Sequence, residues 1–135
     1  MVNKKEIRWK QRFFNFEKAF NLLARTLNIK SPSEAEKGGV VQFYEVCFEL
    51  SWKIMKDYLE SEGYIVKSPK QAIKLAFQTE LISDGETWLS ALEDRNLTAH
   101  TYDEATTDAI INKIRNSYFG LIEGLFNKLK VINEQ

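Results

Sequence analysis

The stretch "WKQRFFNFEKAFNLLARTL", residues 9–27, decides the fold class. Its apolar positions fall at Trp9, Phe13, Phe16, Phe20, Leu23 and Leu27. The steps alternate between four and three, which lays one stripe along a helix and does not fit the alternation of a strand. That helix is predicted to end near Asn28, because "NIKSPSEAEKGG" supplies Pro32, two serines and the Gly38-Gly39 pair. Upstream, Lys4, Lys5, Arg8, Lys10 and Arg12 crowd the helix start. Cations there oppose the helix dipole, so they read either as a solvated, frayed end or as a phosphate-facing patch.

The same periodicity continues downstream. A second helix is predicted from about Val40 to Glu62, with Phe43, Cys47, Leu50, Ile54 and Tyr58 along one face and Gly63 as its stop. Ser68 followed by Pro69 is a cap and a first-turn proline, opening a shorter helix toward Thr79. Ser83 or Asp84 starts another at "GETWLSALEDR", with Glu86 in its first turn. The last begins near Asp103 and carries Ile111, Ile114, Tyr118, Leu121, Leu125 and Ile132 on one side. Strand and hairpin signals are weak throughout. The reading is all-α: three long helices and two shorter ones in a single domain, residues 1–135, with no internal repeat or linker. Phe14 and Phe119 lie outside these stripes, and the surplus either covers the shorter helices or forms a homodimer seam.

Composition narrows the function. Nineteen basic and nineteen acidic residues cancel, so a strongly basic nucleic-acid binder is not indicated, although a local patch is compatible with the balance. Cys47 is the only cysteine and His100 the only histidine, which leaves no disulfide, no CxxC framework and poor material for zinc. No metal and no cofactor are expected. The start, "MVNKKEIRWKQRFF", lacks the apolar core of a signal peptide, and no run approaches the ~20 apolar residues of a membrane span. A soluble, cytoplasmic protein with no membrane partner is the expectation. "EKGGVV" is not a phosphate loop, and "ISDGE" lacks the glycine-serine and paired aspartates of a nucleotidyltransferase, so nucleotide transfer by this chain alone is not expected.

Two groups of residues can carry chemistry. Glu45 and Glu49 lie one helical turn apart, close to Trp52, Lys53 and Lys56. Such carboxylates do acid–base work or hold a cation, while Glu49 and Lys53 at i, i+4 equally read as helix support. The second group is "RNLTAHTY". As plain structure, Arg95 closes a helix, Asn96 caps it, His100 lies on the next turn and Asp103 caps the last helix. As a site, Arg95 can grip a phosphate bidentately and steady charge during phosphoryl transfer. His100 can exchange a proton with a ribose 2′-hydroxyl or a leaving oxygen, and Asn96 can fix its tautomer or donate to a phosphate oxygen. Metal-free RNA cleavage usually wants both an acid and a base, so one histidine per chain asks for a two-fold dimer.

"RNLTAHTYDE" resembles the Arg–x4-6–His motif of HEPN domains, with a polar residue directly after the arginine. "YEVCFELSWKIMKDYLESEG" (Tyr44 to Gly63), "SPKQAIKLAF" (Ser68 to Phe77) and "WLSALEDRNLTAHTYDE" (Trp88 to Glu104) are similar to the subfamily known as nucleotidyltransferase substrate-binding proteins. The resemblance implies a four-helix up-and-down bundle with an added short helix, forming homodimers. It implies that Arg95 and His100, supported by Asn96, cleave RNA without metal at a cleft on the dimer axis and leave a cyclic phosphate end. Tyr102 matches the tyrosine that a separate minimal nucleotidyltransferase adenylylates as the antidote, which would make this chain the toxin of a toxin–antitoxin pair. The alternative in the same subfamily is a non-catalytic subunit that binds substrate or nucleotide and completes the partner's active site. Glu45, Glu49 and Trp52 would then be contact residues. A purely structural dimer is the third reading, with Arg95 and His100 satisfied internally.

Overall fold

The computed structural model describes residues 3–98 and 103–135. Its helices are α1 (Lys4–Leu27), α2 (Glu34–Ser61), α3 (Pro69–Gln78), α4 (Gly85–Thr98), α5 (Glu104–Lys113) and α6 (Phe119–Asn133). A short π-helical segment, Ile114–Tyr118, joins α5 to α6. The fold is the expected all-α bundle: α1, α2, α4 and the α5–α6 rod are its four main members, with α3 as the short addition.

The α1 stripe does what its spacing requires. Trp9, Phe13, Phe16, Phe20 and Leu23 are buried. Phe126 of α6 stacks on both Phe13 and Phe20, at centroid distances of 5.4 and 4.7 Å. Phe119 stacks on Phe20 at 5.2 Å, so this surplus aromatic is used inside the bundle. Phe14 is different: it is 59 % exposed.

Helix α2 begins six residues earlier than its apolar pattern suggested, at Glu34 in place of Val40. Ser33 and Glu36 form a capping box, in which the Ser33 side chain accepts from the Glu36 backbone N–H and Glu36 accepts from the Ser33 N–H. Gly38 and Gly39 therefore sit inside the helix. Each costs about 1 kcal/mol relative to alanine, and the packing of a 28-residue helix offsets it.

The last rod departs from the simple stripe as well. The Phe119 N–H donates to the Ile114 carbonyl, five residues back, so this turn takes one residue more than an α turn. The face beyond it rotates. Ile122, Phe126 and Leu129 become buried, while the expected Leu121 and Ile132 are only partly so.

One ion pair lies within the core. Arg12 Nη1 of α1 stands 2.6 Å from Asp57 Oδ2 of α2, and Asp57 is 2 % exposed. Burial pushes the Asp57 carboxyl above the usual range, although Arg12, Arg8 and Lys56 pull the other way. A carboxyl raised by folding contributes most when protonated, and that contribution is lost as pH rises through its folded value. Arg12→Ala removes the main counter-charge and is expected to destabilise the protein by about 3 kcal/mol at neutral pH. Urea unfolding should show a smaller loss near pH 4, where the orphaned carboxyl takes up a proton.

Candidate functional site

The site lies where α4, packed on α3 and on the π-helical segment, reaches α2 through its side chains. Asp84 starts α4, accepting from the Thr87 N–H at 3.0 Å and the Thr87 hydroxyl at 2.7 Å, bonds that hold its carboxyl below the usual range. Gly85 makes a close approach to α3: a Cβ there would stand 3.0 Å from Phe77 Cγ, so a larger residue would ask the Phe77 side chain to shift. Beyond this tight joint Trp88 and Ala91 are buried, and Trp88 lies 6.0 Å, centroid to centroid, from Phe48 of α2.

Arg95 follows Trp88 by seven residues, so it falls on the same inward stripe, where apolar side chains would be expected. A cation on that face needs a counter-charge. Glu49, the residue after Phe48, supplies it: Arg95 Nη2 donates to Glu49 Oε2. The two side chains remain about one-third open to solvent, at 33 and 31 %. The other Glu49 oxygen lies 3.7 Å from Lys53, the i, i+4 pairing that spacing suggested. Glu49 and Arg95, which fall in separate groups on the sequence, thus meet in one place.

Asp94 turns to a different set of partners. It accepts from the Tyr118 hydroxyl and from Lys113 Nζ, the latter at 3.1 Å. Tyr118 ends the π-helical segment, and its ring stacks on Tyr44 of α2 at 5.9 Å. Tyr44 is fully buried, and its hydroxyl has no hydrogen-bond partner among the described residues. Burial raises both phenols above the ordinary tyrosine value. Tyr118 is lifted further by its bond to Asp94, and Tyr44 by the nearby Tyr118 and Asp94, while Arg95 pulls Tyr44 down. Sequence reasoning missed Tyr44, Asp94 and Tyr118. Only the position of Asp94 beside Arg95 hinted at them.

Helix α4 continues to Thr98, so Asn96 is an internal helical residue and not the cap expected of it. No glycine or proline follows Asn96 to stop the helix. Asp103 does cap α5, accepting from the Thr106 N–H at 2.7 Å and its hydroxyl at 2.8 Å. Lys37 of α2 then reaches Glu104 at 3.4 Å and Asp108 at 3.0 Å. His100 and Tyr102 lie outside the described residues, as does the side chain of Asn96. Glu45 and Trp52 are half-buried on α2, and the Trp52 indole N–H is a buried donor with no partner among the described residues. Cys47 is fully buried and its thiol is pushed up to about 12 by burial, so it serves packing and not nucleophilic chemistry. Among the described residues, no helix is long and apolar enough to cross a membrane.

A helical assembly whose fourth helix brings an arginine against a carboxylate of the second defines an α-helical class with a polar joint near one helix end. The chain belongs to the family described as nucleotidyltransferase substrate binding protein like, which matches residues 11–131. It is 31% identical over 81 residues to a protein of Haemophilus influenzae named probable ribonuclease HepT, and that match covers 56% of each chain. The chain thus spans little more than half the length of this curated relative. A crystal structure from Thermus thermophilus is similar with a TM-score of 0.77 and 35% identity, covering 84% of this chain and 98% of that one. A second, from Haemophilus influenzae, was solved as the fold of a substrate binding domain of a nucleotidyltransferase. It shares that fold at a TM-score of 0.67 and 24% identity, with 90% of this chain and 96% of that one covered.

The Tyr118–Asp94 bond makes a prediction about stability. Tyr118→Phe removes a donor from a largely buried carboxylate and is expected to cost about 1.5–3 kcal/mol at neutral pH. Because folding raises the phenol, the contribution is present below its unfolded value of about 10 and fades as pH climbs through the folded value. Thermal melts of both proteins at pH 7 and pH 10.5 check this, with a smaller gap expected at the higher pH.

Proposed function

We propose that this chain is the HEPN-type subunit of a two-component nucleotidyltransferase system: a metal-independent, cytoplasmic ribonuclease toxin that works as a homodimer. In this reading the ribose 2′-oxygen attacks the adjacent phosphorus, the bond to the 5′-oxygen breaks, and a cyclic phosphate end remains. Arg95 grips the phosphate and offsets the charge that builds on its oxygens. His100 passes the proton, one copy taking it from the 2′-hydroxyl while the copy across the two-fold axis protonates the leaving oxygen. Asn96 supports the pair.

The observation that carries the reading is the Arg95–Glu49 pair at the α2–α4 joint. A cation placed on an inward stripe, held by a carboxylate yet one-third open, stands five residues ahead of the only histidine in the sequence. Likeness to the probable ribonuclease HepT supports the chemistry assigned to that pair. The test is cleavage of RNA by the purified dimer in the presence of a chelator. Arg95→Ala and His100→Ala are each expected to lower the rate at least ~100-fold. No cleavage by wild type, or equal cleavage by His100→Ala, sinks the proposal.

Tyr102 is the residue that the partner nucleotidyltransferase adenylylates to silence the toxin. Intact mass after co-expression with such a partner should rise by whole adenylate units, and Tyr102→Phe should abolish the gain. An unchanged mass in both proteins counts against the antidote mechanism.

The family description favours a second reading, a non-catalytic subunit that binds substrate or nucleotide for the partner. The Trp52 indole N–H, which has no partner among the described residues and lies on the same helix as Glu45 and Glu49, is the observation that suits it. Nucleotidyl transfer by the complex would then survive His100→Ala and fail on changes at Glu45 and Trp52.

A further inference from the structure

Glu49 holds more than one cation, and the arrangement is specific. One carboxylate oxygen accepts from Arg95 Nη2, while the other lies 3.7 Å from Lys53 Nζ. The carboxylate cannot turn without giving up one of these contacts. Its backbone is equally constrained, because the preceding residue, Phe48, is fully buried against Trp88. Trp88 in turn fixes α4 two turns before Arg95. On the other side Asp94 is held separately by Tyr118 and Lys113. Neighbouring residues of α4 thus meet different elements, Arg95 a carboxylate of α2 and Asp94 two donors of the α5–α6 rod.

A carboxylate beside a phosphate-binding arginine repels the substrate it would help to bind. Its presence makes physical sense if its benefit falls on orientation. A long side chain that turns freely loses conformational entropy on meeting a phosphate, and one already held loses less. We propose that Glu49 is a positioning residue for the cleavage reaction: it holds the Arg95 guanidinium by Nη2, so that the planar donor set meets the scissile phosphate in one orientation. The inference rests on the ribonuclease reading for its chemistry, while the clamp itself has a readout of its own.

The experiment uses the full chain as its native assembly. Glu49→Gln removes the charge and keeps an acceptor oxygen, and Glu49→Asp keeps the charge and shortens the reach. Both are expected to lower kcat for metal-free RNA cleavage by ~10-fold or more, with KM no higher than that of wild type. In parallel, rotation about the Arg95 Nε–Cζ bond, read from 15N line shapes, should be faster in both variants. Wild-type kcat in both variants, a loss confined to KM, or unchanged Arg95 rotation overturns the positioning role. A variant that fails to fold leaves the decision to the other one, and a lower melting temperature without the kcat change also counts against it. If wild type and His100→Ala alike leave RNA intact, the ribonuclease reading falls by itself. Arg95 rotation then decides the clamp, sustained if Glu49→Gln speeds it and overturned if not.

Discussion

Every layer of this bundle depends on the burial of α2. Tyr44, Cys47, Phe48, Ile54, Met55 and Leu59 are excluded from water along one face of that helix, while Gly38, Gln42 and Val46 on the opposite face are exposed. Helices α1, α3, α5 and α6 all pack on it, and α4 reaches it through Trp88 against Phe48. A polar residue of α2 that the packing shields from water needs a partner on the same helix or a neighbouring one. Asp57 does so with Arg12, Ser51 by donating back to the Cys47 carbonyl at 2.7 Å, and Glu49 with Arg95. Glu49, at the candidate site, differs from the other two in staying about one-third open to solvent.

The helices were legible in the sequence because their stripes are long and their starts are marked. Ser68-Pro69 and Asp103 behave in the structure as their residue types suggest. The errors fall where a local rule meets a stronger one. Gly38-Gly39 looked like a loop, yet the Ser33–Glu36 box begins the helix ahead of them. Asn96 looked like a cap, yet α4 passes through it. The π-helical turn leaves no mark that a period of 3.6 can detect, so beyond it Leu125 was read correctly while Leu121 and Ile132 were named in place of Ile122, Phe126 and Leu129.

The site was legible only in part. Arg95 was singled out by its place in a motif, while the reason it sits where it does is its seven-residue spacing from Trp88, a packing fact. Glu49 was noticed as one of a pair of carboxylates, and nothing local tied it to a residue 46 positions away. Tyr118 read as part of the last helix's apolar stripe, whereas Tyr44 lay beside the face read for α2; both are core aromatics. Their hydroxyls matter because the fold brings them beside Asp94, and a pattern of apolar residues carries no information about where a phenol oxygen ends up.

The ion pairs made by α2 have one more consequence. Glu49 holds the last full turn before residues 99–102, and Lys37 holds the first turn after them. Both anchors belong to the same helix, twelve residues or roughly 18 Å apart at ~1.5 Å per residue. The end of α4 and the start of α5 are thus tied to two points on a single rigid beam. When the outer helices breathe, the spacing of those two points is conserved, because a helix changes its length far less readily than helices change their separation.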